Sequence, residues 1–375
     1  MALYLLIIAG ALFLAYANGA NDNFKGVATL YGSATASYRS ALALATITTL
    51  LGSLASLLLA QGLLVAFSGK GLVPDALLQT RSFSFSVGLG AAATVFLATR
   101  LGFPISTTHA LIGALAGAGA LAGSFHLEYL SSTFLLPLLT SPILAIGLAV
   151  SAYPLARTLR RRFGVEPDTC VCVGQPELAL APAPTEAGRS DALQRVVAEP
   201  RIEIGTTAAC QTRLGRSALG LDAATGVDAS HYLSAGLVCF ARGLNDTPKM
   251  AAVLLMATGA SALSPGMAVA GIAVCMALGG VLSARKVAHR MSRDITPLNA
   301  GQGLAANLVT SALVLAASRL GVPVSTTHVS CGALFGIGLV TGEGRWRTIL
   351  SILTAWVVTL PLAAATAALF YTLSQ

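Results

Sequence analysis

Two short polar signatures each occur twice in a chain that is otherwise very apolar. The first is Gly19-Ala20-Asn21-Asp22-Asn23-Phe24-Lys25, with a counterpart in Gly243-Leu244-Asn245-Asp246-Thr247-Pro248-Lys249. The second is Pro104-Ile105-Ser106-Thr107-Thr108-His109, repeated as Pro323-Val324-Ser325-Thr326-Thr327-His328. A carboxylate inside an apolar stretch costs roughly 2.5–3.5 kcal/mol on insertion and marks an ion path. Asp22 with Asn21, and Asp246 with Asn245, supply hard oxygen ligands for a proton or a small cation, so Na⁺ near Asp22 and Asp246 is a candidate. Gly19, Gly243 and Pro248 favour local unwinding, which is tolerated at membrane depth only where it lines a cavity. Lys25 and Lys249 follow each Asp by three residues, hence on the same helix face. They either neutralise the carboxylates or add positive potential for an anion.

The Ser-Thr-Thr motifs suit the opposite charge. Proline belongs in the first turn of a helix, and Ser or Thr caps its free N–H groups. The small apolar residues that follow read as helix. Each motif is therefore expected to be a helix start, with unsatisfied N–H groups, a positive dipole end and three hydroxyls, which together form an anion site. If both starts converge, Ser106, Thr107, Thr108, Ser325, Thr326 and Thr327 surround one tetrahedral oxyanion. His109 and His328 read either as core residues or as groups that exchange protons and orient the hydroxyls. Gln302 and Asn307 are further candidate lining residues. Arg100 and Arg319, just before the proline motifs, either anchor at the interface or attract the anion.

The elements that must position these groups are membrane helices. Of 375 residues, 55% are hydrophobic and 10% charged, with mean hydropathy +0.76. Soluble domains carry about 25% charged residues, so an ordinary water-soluble enzyme is excluded. Ten apolar stretches (2–20, 41–67, 82–99, 103–122, 133–156, 232–258, 264–284, 302–319, 321–341 and 348–373) are candidates to cross a bilayer, and roughly ten to twelve membrane segments are expected. The first reads as a helix rather than a removed leader, since no basic region precedes it.

The net charge of +8 is not read as nucleic-acid binding. It concentrates in Arg157, Arg160, Arg161 and Arg162, and in Arg285, Lys286, Arg290 and Arg293, each group directly after an apolar stretch. That is the positive-inside pattern of cytoplasmic flanks. The stretch of the first half that matches Arg285–Arg293, Ser68–Thr80, carries only Lys70 and Asp75. One copy reads as cytoplasmic and the other as external, as inverted-topology repeats require. The chain thus divides into a first membrane repeat (1–157), a cytoplasmic, partly disordered linker (158–229) with a short surface helix expected at Asp191–Val197, and a second membrane repeat (230–375). The fold class is all-α, integral to the lipid bilayer, with two inverted repeats of five to six segments and broken or re-entrant helices at the midplane. The plasma (inner) membrane is the expected location, with a homodimer left open. Cys239, Cys275 and Cys331 read as packing residues. Cys170 and Cys172, a Cys-x-Cys without a second pair, are taken as functionally silent.

Gly-x-Asn-Asp and Pro-[Ile/Val]-Ser-Thr-Thr-His, each present twice and in this order, resemble the inorganic phosphate transporter (PiT) family over nearly the whole chain except the linker. The resemblance implies a secondary transporter with inverted repeats that carries phosphate with Na⁺ or H⁺, some members carrying sulfate. It implies Asn21, Asp22, Asn245 and Asp246 as the coupling region and the two Ser-Thr-Thr runs as the phosphate site. Many members have Asn where this chain has Lys25. That departure puts the usual Na⁺ site in doubt and favours H⁺ coupling or another anion. Sulfate transport on the same fold, a passive anion channel and an intramembrane hydrolase are the alternatives. The last lacks any His-Glu-x-x-His or Gly-x-Ser-x-Gly motif, and no cofactor is expected.

Overall fold

The computed structural model describes residues 2–123, 125–174, 201–214, 219–258 and 263–375. It is mostly helical, and its described residues form two compact units, Met1–Pro154 with His231–Gln375, and Leu155–Ser230. The long helices before the middle of the chain are α1 (Ala2–Asp22), α2 (Tyr38–Leu59), α3 (Arg81–Leu101), α4 (Thr107–Leu121) and α5 (Leu136–Arg162). Then come β1 (Thr169–Gly174), β2 (Arg201–Thr206), α6 (Thr207–Leu214) and β3 (Leu219–Asp222). The later helices are α7 (Ala223–Thr258), α8 (Pro265–Ser283), α9 (Ala300–Arg319), α10 (Thr326–Thr341) and α11 (Trp346–Leu373).

Among the described residues, seven helices are long and apolar enough to cross a membrane, and the protein is an integral, multi-pass membrane protein. Leu58, Ile143, Leu282 and Val357 stand out on the helix surfaces, as lipid-facing side chains must, while small residues pack inside. The helices α4 and α10 are shorter, 15 and 16 residues. At 1.5 Å per residue they reach about 23 Å, less than the roughly 30 Å hydrocarbon core. The proline loops that precede them have a common cause. Gly102 and Gly321 adopt φ +76° and +68°, the left-handed conformation that ends a helix. Phe103 N–H then bonds the carbonyl of Ala98, and Val322 N–H that of Ala317, both at 2.9 Å. Each chain turns there into its proline, and a new helix starts three residues later.

Glycine also decides which helices touch. A Cβ on Gly19 of α1 would lie 1.9 Å from the Met276 carbonyl oxygen of α8, and one on Gly279 of α8 would lie 1.9 Å from that of Tyr16. The same relation recurs between α7 and α2: Gly243 meets the Thr49 carbonyl oxygen at 2.2 Å, and Gly52 that of Phe240 at 2.0 Å. The first helix of each half thus packs on the second helix of the other half. These glycines serve close approach rather than unwinding. Only the first Asn-Asp segment breaks, where α1 ends at Asp22 and a 3₁₀ turn follows at Lys25–Val27. The second lies within continuous α7, with Pro248 inside the helix.

The unit Leu155–Ser230 contains an antiparallel sheet of strand order β2-β1-β3. The polar, proline-rich composition of 158–229 reads as linker, but alternation of Val171 with Val173 and of Ile202 with Ile204 is a strand signal. The expected helix at Asp191–Val197 lies outside the described residues. Cys172 is not isolated either. It forms a disulfide with Cys210, 38 residues on, and Cys170 lies beside it. Cys239 and Cys331 are buried, Cys275 half-buried.

Candidate functional site

The two polar signatures meet in the interior of the larger unit. Ser106 and Ser325 are the N-caps of α4 and α10: their hydroxyls accept from the N–H groups of His109 (3.1 Å) and His328 (3.2 Å). The caps turn these two hydroxyl oxygens toward their own helices, each keeping an O–H to donate, while Thr107, Thr108, Thr326 and Thr327 face the other motif. The helix starts touch each other. Thr327 Oγ1 donates to the Ile105 carbonyl at 2.8 Å, and Thr108 Oγ1 to that of Val324 at 3.4 Å. First-turn N–H groups, which lack intrahelical partners, therefore point from two helices toward one region.

The Asn-Asp segments line the same region. Thr107 Oγ1 donates to Asp22 Oδ2 and Thr326 Oγ1 to Asp246 Oδ2, both at 3.4 Å. Asn21 Nδ2 donates to Thr99 Oγ1 and to the Phe103 carbonyl, each at 2.9 Å, and its Oδ1 accepts from Ile105 N–H at 3.1 Å. It ties the end of α1 to the first proline loop. Asn245 does the matching task, donating to Val324 O at 3.3 Å and accepting from Ser318 Oγ at 3.3 Å. These Asn, Asp and Thr side chains are all buried.

The lysines pair with the carboxylates, although Asp246 also accepts from its neighbour Asn245 Nδ2 at 3.0 Å. Lys25 Nζ pairs with Asp22 Oδ1 and donates to Asn21 Oδ1 (2.9 Å), Ile105 O (2.9 Å) and Thr327 Oγ1 (2.5 Å). Lys249 Nζ contacts Asp246 Oδ1 (3.3 Å), Thr108 Oγ1 (2.9 Å) and Val324 O (2.8 Å). Each ammonium reaches across to the hydroxyl of the opposite half. Oxygens of this kind would ligate a small cation, and around Asp22 they already hold the Lys25 ammonium. The residues near Asp22 therefore do not fit an added Na⁺ ion while Lys25 is charged.

Two buried residues escaped the sequence reading. Arg242, one position before Gly243, donates to Asn18 Oδ1 (2.7 Å) and Asn23 Oδ1 (2.9 Å), and its Nε lies 3.7 Å from Asp246 Oδ2. Asn18 donates to Asp22 (3.1 Å), Thr107 (3.0 Å) and Asp246 (3.4 Å), so it links both halves. The signal for Arg242 was available: a charge inside an apolar stretch is costly whether it lies in a repeated motif or next to one. With Arg242, three buried cations face two buried carboxylates. The surplus of one positive charge, away from water, favours an anion between the helix starts.

The other candidates lie elsewhere. The rings of His109 and His328 meet at 4.5 Å, and His328 stacks on Trp356 at 3.9 Å. Both border an apolar cavity of about 450 Å³ lined with Leu138, Pro142, Phe335 and Trp356, which has no charge to hold an anion. Gln302 completes the capping box of α9 with Asn299. Asn307 accepts from Thr29 at 3.1 Å, which in turn contacts His231 at 3.0 Å. Arg100 and Arg319 are exposed at helix ends, Arg100 over the Phe96 ring.

Comparison with known proteins agrees over the full length. Residues 18–367 match the phosphate transporter family. The chain is 28% identical to a probable low-affinity inorganic phosphate transporter of Mycobacterium bovis, an alignment covering 98% of this chain and 77% of that one. It is 27% identical to a chloroplastic inorganic phosphate transporter of Arabidopsis thaliana, covering 96% and 70%. In fold it is similar to the solved structure of a sodium-dependent phosphate transporter, with TM-score 0.75 and 18% identity over 100% of this chain and 99% of that one.

Proposed function

The chain belongs to the phosphate transporter family, and from that premise we propose that it moves inorganic phosphate across the membrane by symport with protons. The observation that carries this reading is the buried surplus of positive charge between two helix starts. Phosphate docks there, taking hydrogen bonds from Thr107, Thr108, Thr326 and Thr327 and from first-turn N–H groups. Arg242, Lys25 and Lys249 balance its charge. Asp22 and Asp246 accept the P–OH proton that phosphate carries near neutral pH and sulfate does not. This contact separates the two anions.

The coupling ion follows from Lys25. Its ammonium is a cation tethered in the oxygen cage where a free one would sit. What that cage can exchange without expelling the side chain is a proton, shared between the amine and the Asp22 carboxylate. Loading a proton and phosphate together permits the two inverted repeats to alternate access to the site. The inner membrane, with Leu155–Ser230 on the cytoplasmic side of the basic flanks, completes the reading.

Uptake of labelled phosphate into proteoliposomes tests it. An inward proton gradient should drive accumulation equally well in sodium, potassium or choline media. Arsenate should compete and sulfate should compete poorly. Sulfate competing as well as arsenate would move the assignment to sulfate. Equilibration without accumulation would make the protein a channel.

A further inference from the structure

The unit Leu155–Ser230 is built around sulfur. Among the described residues its buried apolar cluster consists of Cys170, Cys172 and Cys210 alone. Strand alternation puts Cys170 and Cys172 on one face of β1, and α6 brings Cys210 to them. The larger apolar side chains of the sheet, Val171, Ile202, Ile204 and Leu221, lie exposed. Glycines stand opposite the two cysteines, Gly205 in register with Cys170 and Gly220 with Cys172. A Cβ on Gly220 would lie 2.7 Å from Cys170 Sγ and 3.6 Å from Cys172 Sγ. The missing side chain leaves room over the sulfurs.

The three sulfurs lie within 4.8 Å of one another. Cys172 and Cys210 are bonded, and the free thiol of Cys170 is 3.1 Å from Cys172. A disulfide uses two of these cysteines and leaves a third thiol buried against it. A tetrahedral zinc ion uses all three: with Zn–S near 2.3 Å it spaces its thiolates by roughly 3.8 Å. Cys170 and Cys172 already stand within about an ångström of that spacing, and reduction frees Cys210 to move off Cys172 and reach it. Small units that cannot build an apolar core need a disulfide or a metal to hold them together. In a reducing compartment such thiol sets are metal sites.

We propose that in its reduced form the Cys170–Cys172–Cys210 cluster binds one thiophilic d¹⁰ metal ion, Zn²⁺ foremost, with the fourth position open to water or an exogenous ligand. Reduction of the Cys172–Cys210 bond takes two electrons and two protons from a cellular dithiol, which is itself oxidised to a disulfide. The metal then displaces the protons of three thiols. The site stands independently of phosphate transport.

The test uses the full chain in detergent, purified under a phosphine reductant, incubated with ZnCl₂ alone and desalted. About one Zn²⁺ per chain is expected, with all three cysteines protected from alkylation and, after reconstitution into proteoliposomes, phosphate uptake unchanged. Cys170→Ser, which spares the disulfide pair, should weaken zinc binding by roughly 100-fold, since a lost ligand costs at least what a lost outer-shell partner does. Titration of the parent protein with Cd²⁺, read by thiolate-to-metal absorption, gives the same answer without a variant. No metal above the level of the triple serine variant, no cadmium–thiolate band, or zinc binding untouched by Cys170→Ser would each overturn the proposal. So would a quantitative Cys172–Cys210 disulfide in protein alkylated at cell lysis whose reduced form takes no metal.

Discussion

At the scale of single residues, Lys25 and Arg242 govern coupling and affinity. Lys25→Asn removes the ammonium and leaves a neutral oxygen near Asp22, Ile105 and Thr327. The cage is then open to Na⁺. Initial rates of uptake, indifferent to sodium in the parent, should become sodium-dependent and lose their response to a proton gradient; a parent already driven by sodium would refute the tethered-cation role. Arg242→Gln removes the charge surplus. Phosphate affinity should fall by tenfold or more, which is about 1.4 kcal/mol or above. Arg242→Lys should recover part of that, because a purely structural role would depend on the guanidinium fork that holds Asn18 and Asn23. The sequence made Asp22, Asp246 and the threonines legible because each occurs twice. Arg242 occurs once, opposite Asn18 in the other half, and a search for duplicated residues passes over it.

At the scale of elements, the cap and the binding surface are separable. Ser106→Ala should cost about 1 kcal/mol of stability through the lost N-cap, read as a lower detergent melting temperature, with little change in phosphate affinity. Thr107→Val keeps the cap and should do the reverse. If Ser106→Ala weakens binding as much as Thr107→Val does, the serine hydroxyl is part of the anion site after all. The helix starts were legible from Pro-x-Ser-Thr-Thr, since capping is local chemistry. The glycines were not. Gly19 and Gly243 read as places to unwind, yet each faces a carbonyl of a helix distant in sequence, and nothing local records which neighbour a small residue is there to admit. The strands of Leu155–Ser230 were overlooked for a different reason: short alternating runs are faint beside twenty-residue apolar helices.

At the scale of the molecule, the halves that the sequence divides are interleaved. Both lie in one compact unit, and α1 packs on α8 as α7 packs on α2. Carbonyls seated against glycines leave no slack for sliding, because packed interiors deform little and move as blocks. Each rigid body therefore takes its first helix from one half and its second from the other. Tyr16 and Ser283, whose side-chain oxygens are 2.7 Å apart across α1 and α8, test this directly. A bis-methanethiosulfonate cross-link between Tyr16→Cys and Ser283→Cys, spanning the length of the lost tyrosine ring, should leave phosphate uptake within about twofold of the reduced form, as expected of a link inside one body rather than across a hinge or shear plane. Uptake abolished by cross-linking and restored by reductant would mean that α1 and α8 part during each cycle. The moving bodies would then follow the sequence halves, and the close glycine contacts would belong to one state of the transporter only.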